Sequence, residues 1–459
     1  MTKLSLFGLL SGRRSGADPV ALARHGTVTT RDWGCRVAAV VDLVRESGGE
    51  RWMLAFEDSS SFSAGLFGLL AAGKTVCLPS GLSAPALRGL APNVERTLSD
   101  LPAPPDTAPW HALPPPAAEP LLVPRLPDGI VEFWTSGSTG LPKRVEKRLS
   151  QLDAEVIAQE KTFGRRFGNG PVVGTVPHFH IYGCLFRVLW PLHAGRVFRS
   201  ASCGEPAELR RALAGPDPVA LVSCPAHLSR LPKIVDLSRL DPPPAVVFSS
   251  GGPLDPADGA VWAAVAPGGV VEVYGSTESG GIAWRSPGAR PAPAGRPLAW
   301  KPLPAVSLSL EPDGALRVRS PYAGAEPLRM EDAAELLPNG RLHLKGRLDR
   351  IVKLDERRVS LPEVEAALRK HPWVRGAAVV RLDGAHPTLG AVVVLSPREQ
   401  RLLPAGRGEL VHALREHVLG LVDGSAVPRR WRFVPSLPFD DGGKLTTEAV
   451  TALFERTSG

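Results

Sequence analysis

The chain has 459 residues, 43% hydrophobic and 22% charged, with a formal net charge of +8. That is enough for two to four folding units with sizeable cores. Its longest apolar runs are far short of a membrane span, and its basic excess lacks the dense Lys/Arg stripe with interleaved aromatics that nucleic acid requires. The excess suits an acidic substrate or an acidic protein partner instead. The five cysteines (Cys35, Cys77, Cys184, Cys203, Cys224) are odd in number and lack CxxC spacing. They argue for reduced thiols in a cytoplasm and against a metal site. Leu4 to Leu10 is apolar but lacks a charged lead-in and a small-residue cleavage site, so no signal peptide is predicted.

In chain order, Asp32 to Arg45 carries Trp33, Val37, Val40, Val41 and Val44 at helical spacing. Trp52 to Phe56 reads as a strand, Ser61 to Ala72 as a helix and Thr75 to Leu78 as the next strand. This rhythm is βαβ-like and implies a parallel sheet. Leu101 to Gly129 holds ten prolines, a density that no helix or central strand survives, so 101–129 is predicted to be a surface linker. Ile130 to Trp134 reads as a strand feeding a loop. Ser150 to Phe167 follows as a helix and Val172 to Val176 as a strand. Further βα units use strands Val219 to Ser223, Ala245 to Ser249 and Val270 to Val273, with a helix Ala226 to Leu231. Short alternating strands from about 300 to 346 (Ser307 to Leu310, Ala315 to Val318, Leu342 to Leu344) predict a β-rich subdomain. Residues 350–459 then form a smaller unit: a charged turn, helices Leu361 to Lys370 and Gly408 to His417, and strands Gly376 to Arg381, Ala391 to Leu395 and Arg430 to Val434. That unit carries 17 Lys and Arg against 13 Asp and Glu, half of the net charge.

The most informative stretch is Phe133 to Val145, FWTSGSTGLPKRV. Thr135, Ser136, Gly137, Ser138, Thr139, Gly140 and Lys143 combine small hydroxyls, glycines and one cation. A loop without bulky side chains lets backbone N–H groups approach a polyphosphate. The P-loop pattern GxxxxGK[ST] is not met, because Pro142 stands where its second Gly belongs and Arg144 follows the lysine. By itself the run could be a flexible Ser/Gly surface turn. Other polar turns end predicted strands: Pro177 to Gly183 with His180, Ser250-Gly251-Gly252-Pro253, and Tyr274-Gly275-Ser276-Thr277-Glu278. Ligands of open α/β sheets gather at carboxyl strand ends, so these turns predict one site. A carboxylate such as Glu278 suits a hard cation, and an aromatic face such as Tyr274 suits a nucleobase.

TSGSTGLPK resembles the phosphate loop of the adenylate-forming superfamily, which includes acyl-CoA synthetases, luciferases and peptide-synthetase adenylation domains. Pro177 to Gly183 resembles its PxFHxxG segment and Tyr274 to Glu278 its YGSTE motif. Glu331-Asp332 resembles its TGD segment with the Thr and Gly replaced. Gly346-Arg347-Leu348-Asp349 resembles its GRxD hinge, and Leu437-Pro438 with Gly443-Lys444 its LPxxxxGK run. The six motifs stand in order over about 310 residues. The resemblance implies an α/β fold: a large N-terminal adenylation domain (1–347) of βαβ-type parallel sheets with a small β subdomain, then a mobile α+β lid domain (350–459) hinged at Asp349. It implies that ATP lies on the Ser136 to Lys143 loop and on Gly251, Gly252 and Pro253. Tyr274 would stack on adenine, Gly275 and Ser276 would line the same turn, and Thr277 would contact phosphate. Glu278 would hold Mg²⁺, Asp332 and Arg347 the ribose. His180 would wall the acyl pocket, and Lys444 would be the catalytic lysine.

The implied reaction is attack of a carboxylate on the α-phosphate of ATP, giving an acyl adenylate and pyrophosphate, then transfer to a phosphopantetheine thiol. Two anions must meet, so the site must neutralise charge. The nucleophile is already ionised at pH 7 and needs no general base. Amino-acid-activating relatives place an aspartate just after the Phe that corresponds to Phe179, where this chain has His180. The substrate is therefore expected to be a small aryl or acyl acid without an α-amino group. KLDERRVSLPEVE resembles the ligases of aryl polyene and xanthomonadin-type pigment pathways, which load an aryl acid onto an acyl carrier protein. Glu356 stands where the superfamily has a glycine beside the pantetheine arm. Either the tunnel is rebuilt for an acidic carrier protein or the thioester step is impaired. An ordinary CoA ligase and a non-catalytic nucleotide-binding relative are the alternatives.

Overall fold

The computed structural model describes residues 3–104, 107–136, 142–168, 170–287, 298–354, 357–384, 387–439 and 445–455. Its contacts divide the chain into two compact units: residues 1–308, 318–328 and 337–343, and residues 309–317, 329–336 and 344–459.

In the first unit the βαβ rhythm becomes two mainly parallel sheets. The six-stranded sheet runs in the order Trp110–Ala112, Arg96–Ser99, Arg51–Ala55, Thr75–Leu78, Ile130–Ser136, Pro142–Arg148. All its neighbours are parallel except the last pair, an antiparallel hairpin. The nine-stranded sheet runs Lys301–Pro302, Gly280–Arg285, Val270–Ser276, Val246–Ser249, Ala220–Ser223, Val172–Gly174, Phe198–Arg199, Pro19–Ala23, Gly26–Thr29. Its five strands from Val270–Ser276 to Phe198–Arg199 are mutually parallel.

Helix Thr30–Ser47 starts at a capping box, in which Thr29 and Asp32 satisfy each other's backbone N–H groups. Asp58 caps Ser59–Ala71 through the Ser61 N–H at 2.7 Å. The two helices meet closely, since a Cβ on Gly68 would lie 2.6 Å from Val40. Phe163, Phe167, Phe186, Trp190 and Phe248 interlock in edge-to-face and tilted contacts with centroids 4.5–6.2 Å apart. Leu4, Leu6, Phe7, Leu9 and Leu10 join this core.

The proline-rich stretch differs from a loose linker. Trp110–Ala112 adds an edge strand to the six-stranded sheet, as proline-flanked segments can. Ala117, Leu121, Val123 and Leu126 donate their N–H groups to Cys35, Gly34, Leu10 and Phe7 at 2.9–3.1 Å. Prolines there remove competing donors, so the remaining N–H groups pin the strap to the body.

Four strands, Ser307–Leu310, Ala315–Arg319, Leu328–Leu336 and Leu342–Arg347, make a third sheet in chain order. The third of them was not expected, because its buried positions are few and irregular. In the second unit, strands Val374–Leu382, Thr388–Leu395 and Arg430–Phe433 form a sheet covered on both faces. Ala377, Val379, Ala391 and Val393 pack with helices Leu361–Arg369 and Pro397–Leu419. The alternate residues Ala378, Val380 and Val392 pack with Val450 and Phe454 of helix Thr447–Glu455, which was also unexpected. Strands Ile351–Leu354 and Arg357–Ser360 pair antiparallel on either side of Asp355 and Glu356, which lie outside the described residues. Among the described residues no helix is long and apolar enough to cross a membrane.

Candidate functional site

The turns singled out in the sequence leave the sheets at corresponding ends. Val172–Gly174, Val246–Ser249 and Val270–Ser276 are parallel strands of one sheet. Their carboxyl ends lead to the His180 turn, to Gly251–Pro253 and to Glu278. Ile130–Ser136 of the other sheet leads to the phosphate-loop stretch.

Gly137, Ser138, Thr139 and Gly140 lie outside the described residues, but both stems of their loop are defined. Ile130–Ser136 pairs with Pro142–Arg148, with Thr135 opposite Lys143 and Ser136 opposite Pro142. The two stems thus form an antiparallel strand pair. Its second strand carries Lys143 to the other sheet, where Nζ lies 2.6 Å from Glu278 Oε1. The phosphate-loop hairpin and the YGSTE turn therefore meet at one point.

Glu278 sits on a tightly built turn. Strand Val270–Ser276 runs three residues further than predicted, and Tyr274 to Ser276 pair with Gly280 to Ala283 across an irregular register. A Cβ on Gly275 would come 2.2 Å from the Gly280 oxygen, so only glycine allows this approach. Ser276 and Ser279 exchange bonds: each side chain accepts the other's N–H, at 3.2 and 2.9 Å. Thr277 and Glu278 are held at the tip. Partial burial pushes the Glu278 carboxyl up, but the bond from Lys143 and hydrogen bonds from its own N–H and Ser276 outweigh it. The group stays below its ordinary range, ionised at neutral pH.

An accessible ionised carboxylate is a ligand that magnesium accepts. Among the described residues no cluster of three His, Cys, Asp or Glu could form a metal cage. The donor set thus fits an ion that takes its other oxygens from phosphates and water.

Tyr274 lies with its ring 5.8 Å from that of Trp300, whose face Arg285 covers at 4.4 Å. Gly251 has φ +89°, and Gly251, Gly252 and Pro253 are all exposed. Ser250 Oγ ties this turn to the Val273 carbonyl at 2.8 Å. His180 precedes the short helix Ile181–Gly183, its ring 4.9 Å from Phe179. A Cβ on Gly183 would fall 1.9 Å from the Pro177 oxygen, which explains the glycine that ends PxFHxxG.

The remaining predicted residues belong to the second unit or its surroundings in sequence. Asp332 lies on strand Leu328–Leu336, and Arg347 ends the adjacent strand Leu342–Arg347. Asp349 is in the short turn Leu348–Arg350. The next residue, Arg350, grips buried Glu365 at 2.6 and 3.2 Å, and Glu365 also accepts the Val379 N–H at 2.8 Å. Glu365 is thus a structural anchor of this unit. Glu356 and Lys444 lie outside the described residues.

Two residues that sequence reading missed support the Glu278 turn. Lys147 reaches the Glu278 and Tyr322 carbonyl oxygens, each at 2.6 Å, and Glu155 accepts the Gly281 N–H at 2.7 Å. The spacing of Lys147, four residues after Lys143 on a strand, was the available signal, since it puts both on one face.

Open α/β sheets with polar turns converging at their carboxyl ends define a protein that binds a small polar ligand there. The AMP-binding enzyme model matches residues 80–314, more than half of the chain, and the C-terminal domain model of the same enzymes matches residues 363–444. The chain belongs to this AMP-binding, adenylate-forming enzyme family. It is 32% identical over 330 residues to a 4-coumarate–CoA ligase of Rhodobacter capsulatus, covering 71% of this chain and 77% of that one. Its fold is similar to ATP-bound MatB from Rhodopseudomonas palustris, with TM-score 0.82, 18% identity and full coverage of both chains. It is also similar to o-succinylbenzoate CoA synthetase from Bacillus subtilis in complex with its acyl-adenylate intermediate, with TM-score 0.79, 17% identity and 98% coverage of both.

Proposed function

We propose that this chain is an acid–thiol ligase that activates an aryl or acyl carboxylic acid with ATP. A carboxylate oxygen bonds to the α-phosphorus, the bond to pyrophosphate breaks, and an acyl adenylate results. A pantetheine thiol then attacks the acyl carbon, and AMP leaves with the bonding electrons. The observation that carries this reading is the Lys143–Glu278 contact at 2.6 Å, which joins the phosphate-loop hairpin to the acidic turn. A cation for phosphate and a carboxylate for its counter-ion are what the meeting of two anions demands.

In this reading Thr135, Ser136, Thr277 and Lys143 take the phosphates, and Tyr274 with Gly251 and Gly252 takes the adenine. Asp332 and Arg347 take the ribose, His180 walls the acid, and Lys444 steadies the developing charge. Glu278 would hold a magnesium ion, which offsets phosphate charge when bound. The segment Pro177 to Gly183 contains no carboxylate to pair an ammonium group, which favours an acid without an α-amino group. The likeness to a 4-coumarate–CoA ligase favours an aryl one. The acceptor is proposed to be an acidic acyl carrier protein, as in aryl polyene-type ligases, because residues 350–459 carry a net charge of +4.

ATP–pyrophosphate exchange over a panel of aryl and fatty acids tests the first half-reaction. Signal with one aryl class supports the reading, and silence with every acid refutes it in favour of a non-catalytic relative. Purified carrier protein against free CoA tests the acceptor. Lys444→Ala should lose adenylation by at least about 10²–10³-fold and still consume preformed adenylate. Equal loss in both half-reactions would remove Lys444 from its role.

A further inference from the structure

Lys147 is an unusual residue to find 1% exposed. Burying an ammonium costs several kcal/mol unless its protons are well placed, and an apolar side chain would avoid that cost. Here Nζ donates to two main-chain oxygens, of Glu278 and Tyr322, both at 2.6 Å. Burial pulls the Lys147 ammonium down to about 8, while Glu155 and Glu278 pull it back up.

The environment is built around that contact. Lys143 and Lys147 project from one face of strand Pro142–Arg148, with buried Val145 between them. Lys143 holds the Glu278 carboxylate and Lys147 holds the carbonyl of the same residue. From the following helix, Leu149–Phe163, the buried Glu155 holds the Gly281 N–H on the far side of the turn. Gly280 has φ +66°, and a Cβ there would meet Glu155 Oε2 at 2.4 Å and Tyr322 Cβ at 2.9 Å. Tyr322 is fixed in turn by its hydroxyl, which donates to the Pro304 carbonyl at 2.5 Å. The turn is thus gripped at Glu278 and Gly281, and its carboxylate is aimed by the hairpin that also carries the phosphate loop.

We propose that Lys147 is a positioning residue: it fixes the main chain at Glu278 so that this carboxylate faces the ion and phosphates of a nucleotide. The proposal rests on the adenylation reading. It differs from plain structural support in one consequence. If Lys147 only satisfied two carbonyls, its loss would lower stability and affect every ligand alike. If it aims Glu278, its loss removes mainly the part of ATP affinity that depends on a divalent cation.

The experiment is a calorimetric titration of ATP with and without Mg²⁺ for wild type, Lys147→Met and Lys147→Gln, with Glu278→Gln alongside. Wild type should bind ATP more tightly with Mg²⁺. Lys147→Met should lose about 10–100-fold of that gain, the range for partners that orient a metal ligand, with metal-free affinity unchanged. Glu278→Gln should lose the same gain, and Lys147→Gln, which keeps two donors, should recover part of it. If Lys147→Met does not fold, Lys147→Met/Glu155→Gln, which leaves no unpaired buried carboxylate, serves for the same comparison. A full Mg²⁺ gain in the variant, or equal loss with and without Mg²⁺, overturns the proposal while leaving adenylation standing. Absence of ATP binding by wild type would overturn both.

Discussion

Lys143 and Glu278 touch at 2.6 Å, yet their side chains remain 61% and 31% exposed. An ion pair of that kind contributes about 0.2–1 kcal/mol, too little to be retained for stability. The contrast within the same unit is Glu160, where Arg196, Trp190 and Lys3 converge on a carboxylate only 7% exposed. In the adenylation reading proposed above, the weak pair is the one that a phosphate chain would reopen at low cost. Lys143→Ala and Glu278→Gln should therefore each shift the unfolding free energy by no more than about 1 kcal/mol. Each should lower ATP–pyrophosphate exchange by about 10²–10³-fold. Urea unfolding and exchange on the same preparations check both halves, and a large stability loss with normal exchange would make the pair structural.

The strand Pro142–Arg148 explains what the sequence could and could not disclose. The Gly, Ser and Thr run before it stood out in the sequence, though by itself such a run also suits a surface turn. The strand did not stand out, because its period-two signal is carried by Lys143, Val145 and Lys147, and two of those three look like surface charge. Likewise Ser279 and Glu155 matter through main-chain contacts across the fold, which no local pattern reports. The long apolar strands and amphipathic helices were readable because burial alone sets their spacing. Strand and helix together make a pH-sensitive support. Burial raises the Glu155 carboxyl to about 7, against opposing pulls from the Gly281 N–H, Lys147 and Gln159. Between the ordinary carboxylate range and pH 7, the folded chain keeps a proton that the unfolded chain has released. Stability from this group is full at low pH and is lost as pH rises through 7, by at most about 1.4 kcal/mol per pH unit. Lys147 acts in the opposite window. From about pH 8 up to the ordinary lysine range the unfolded chain holds the extra proton, so stability rises with pH there. Urea unfolding of Glu155→Gln from pH 5 to 7 should lack the wild-type decline attributable to this group. An identical slope in wild type and variant would show that Glu155 is ionised throughout.

At the scale of the whole molecule the charge and the cores are unevenly distributed. Every member of the two apolar clusters around the C-terminal three-stranded sheet lies at or beyond Val352. One cluster sits under helices Leu361–Arg369 and Pro397–Leu419, the other under Thr447–Glu455. A segment with its own two-sided core meets the physical condition for folding alone. We predict that residues 344–459, produced separately, melt cooperatively. Trp373 and Trp431 are its two tryptophans, and Trp431 is 5% exposed with its Nε1–H on the Pro428 carbonyl. Its emission should therefore be blue-shifted in the folded fragment and move to the red on unfolding. Ending the fragment before Thr447 should abolish the transition, because Val380, Leu382 and Val392 would lose Val450 and Phe454 and face water. That would expose several buried aliphatic side chains at about 1.5–3 kcal/mol each, comparable to the whole stability of a domain this size. A fragment 344–459 without a cooperative transition would mean that the strands before it are needed to complete the core. A truncated one that still melted sharply would mean that the last helix is dispensable.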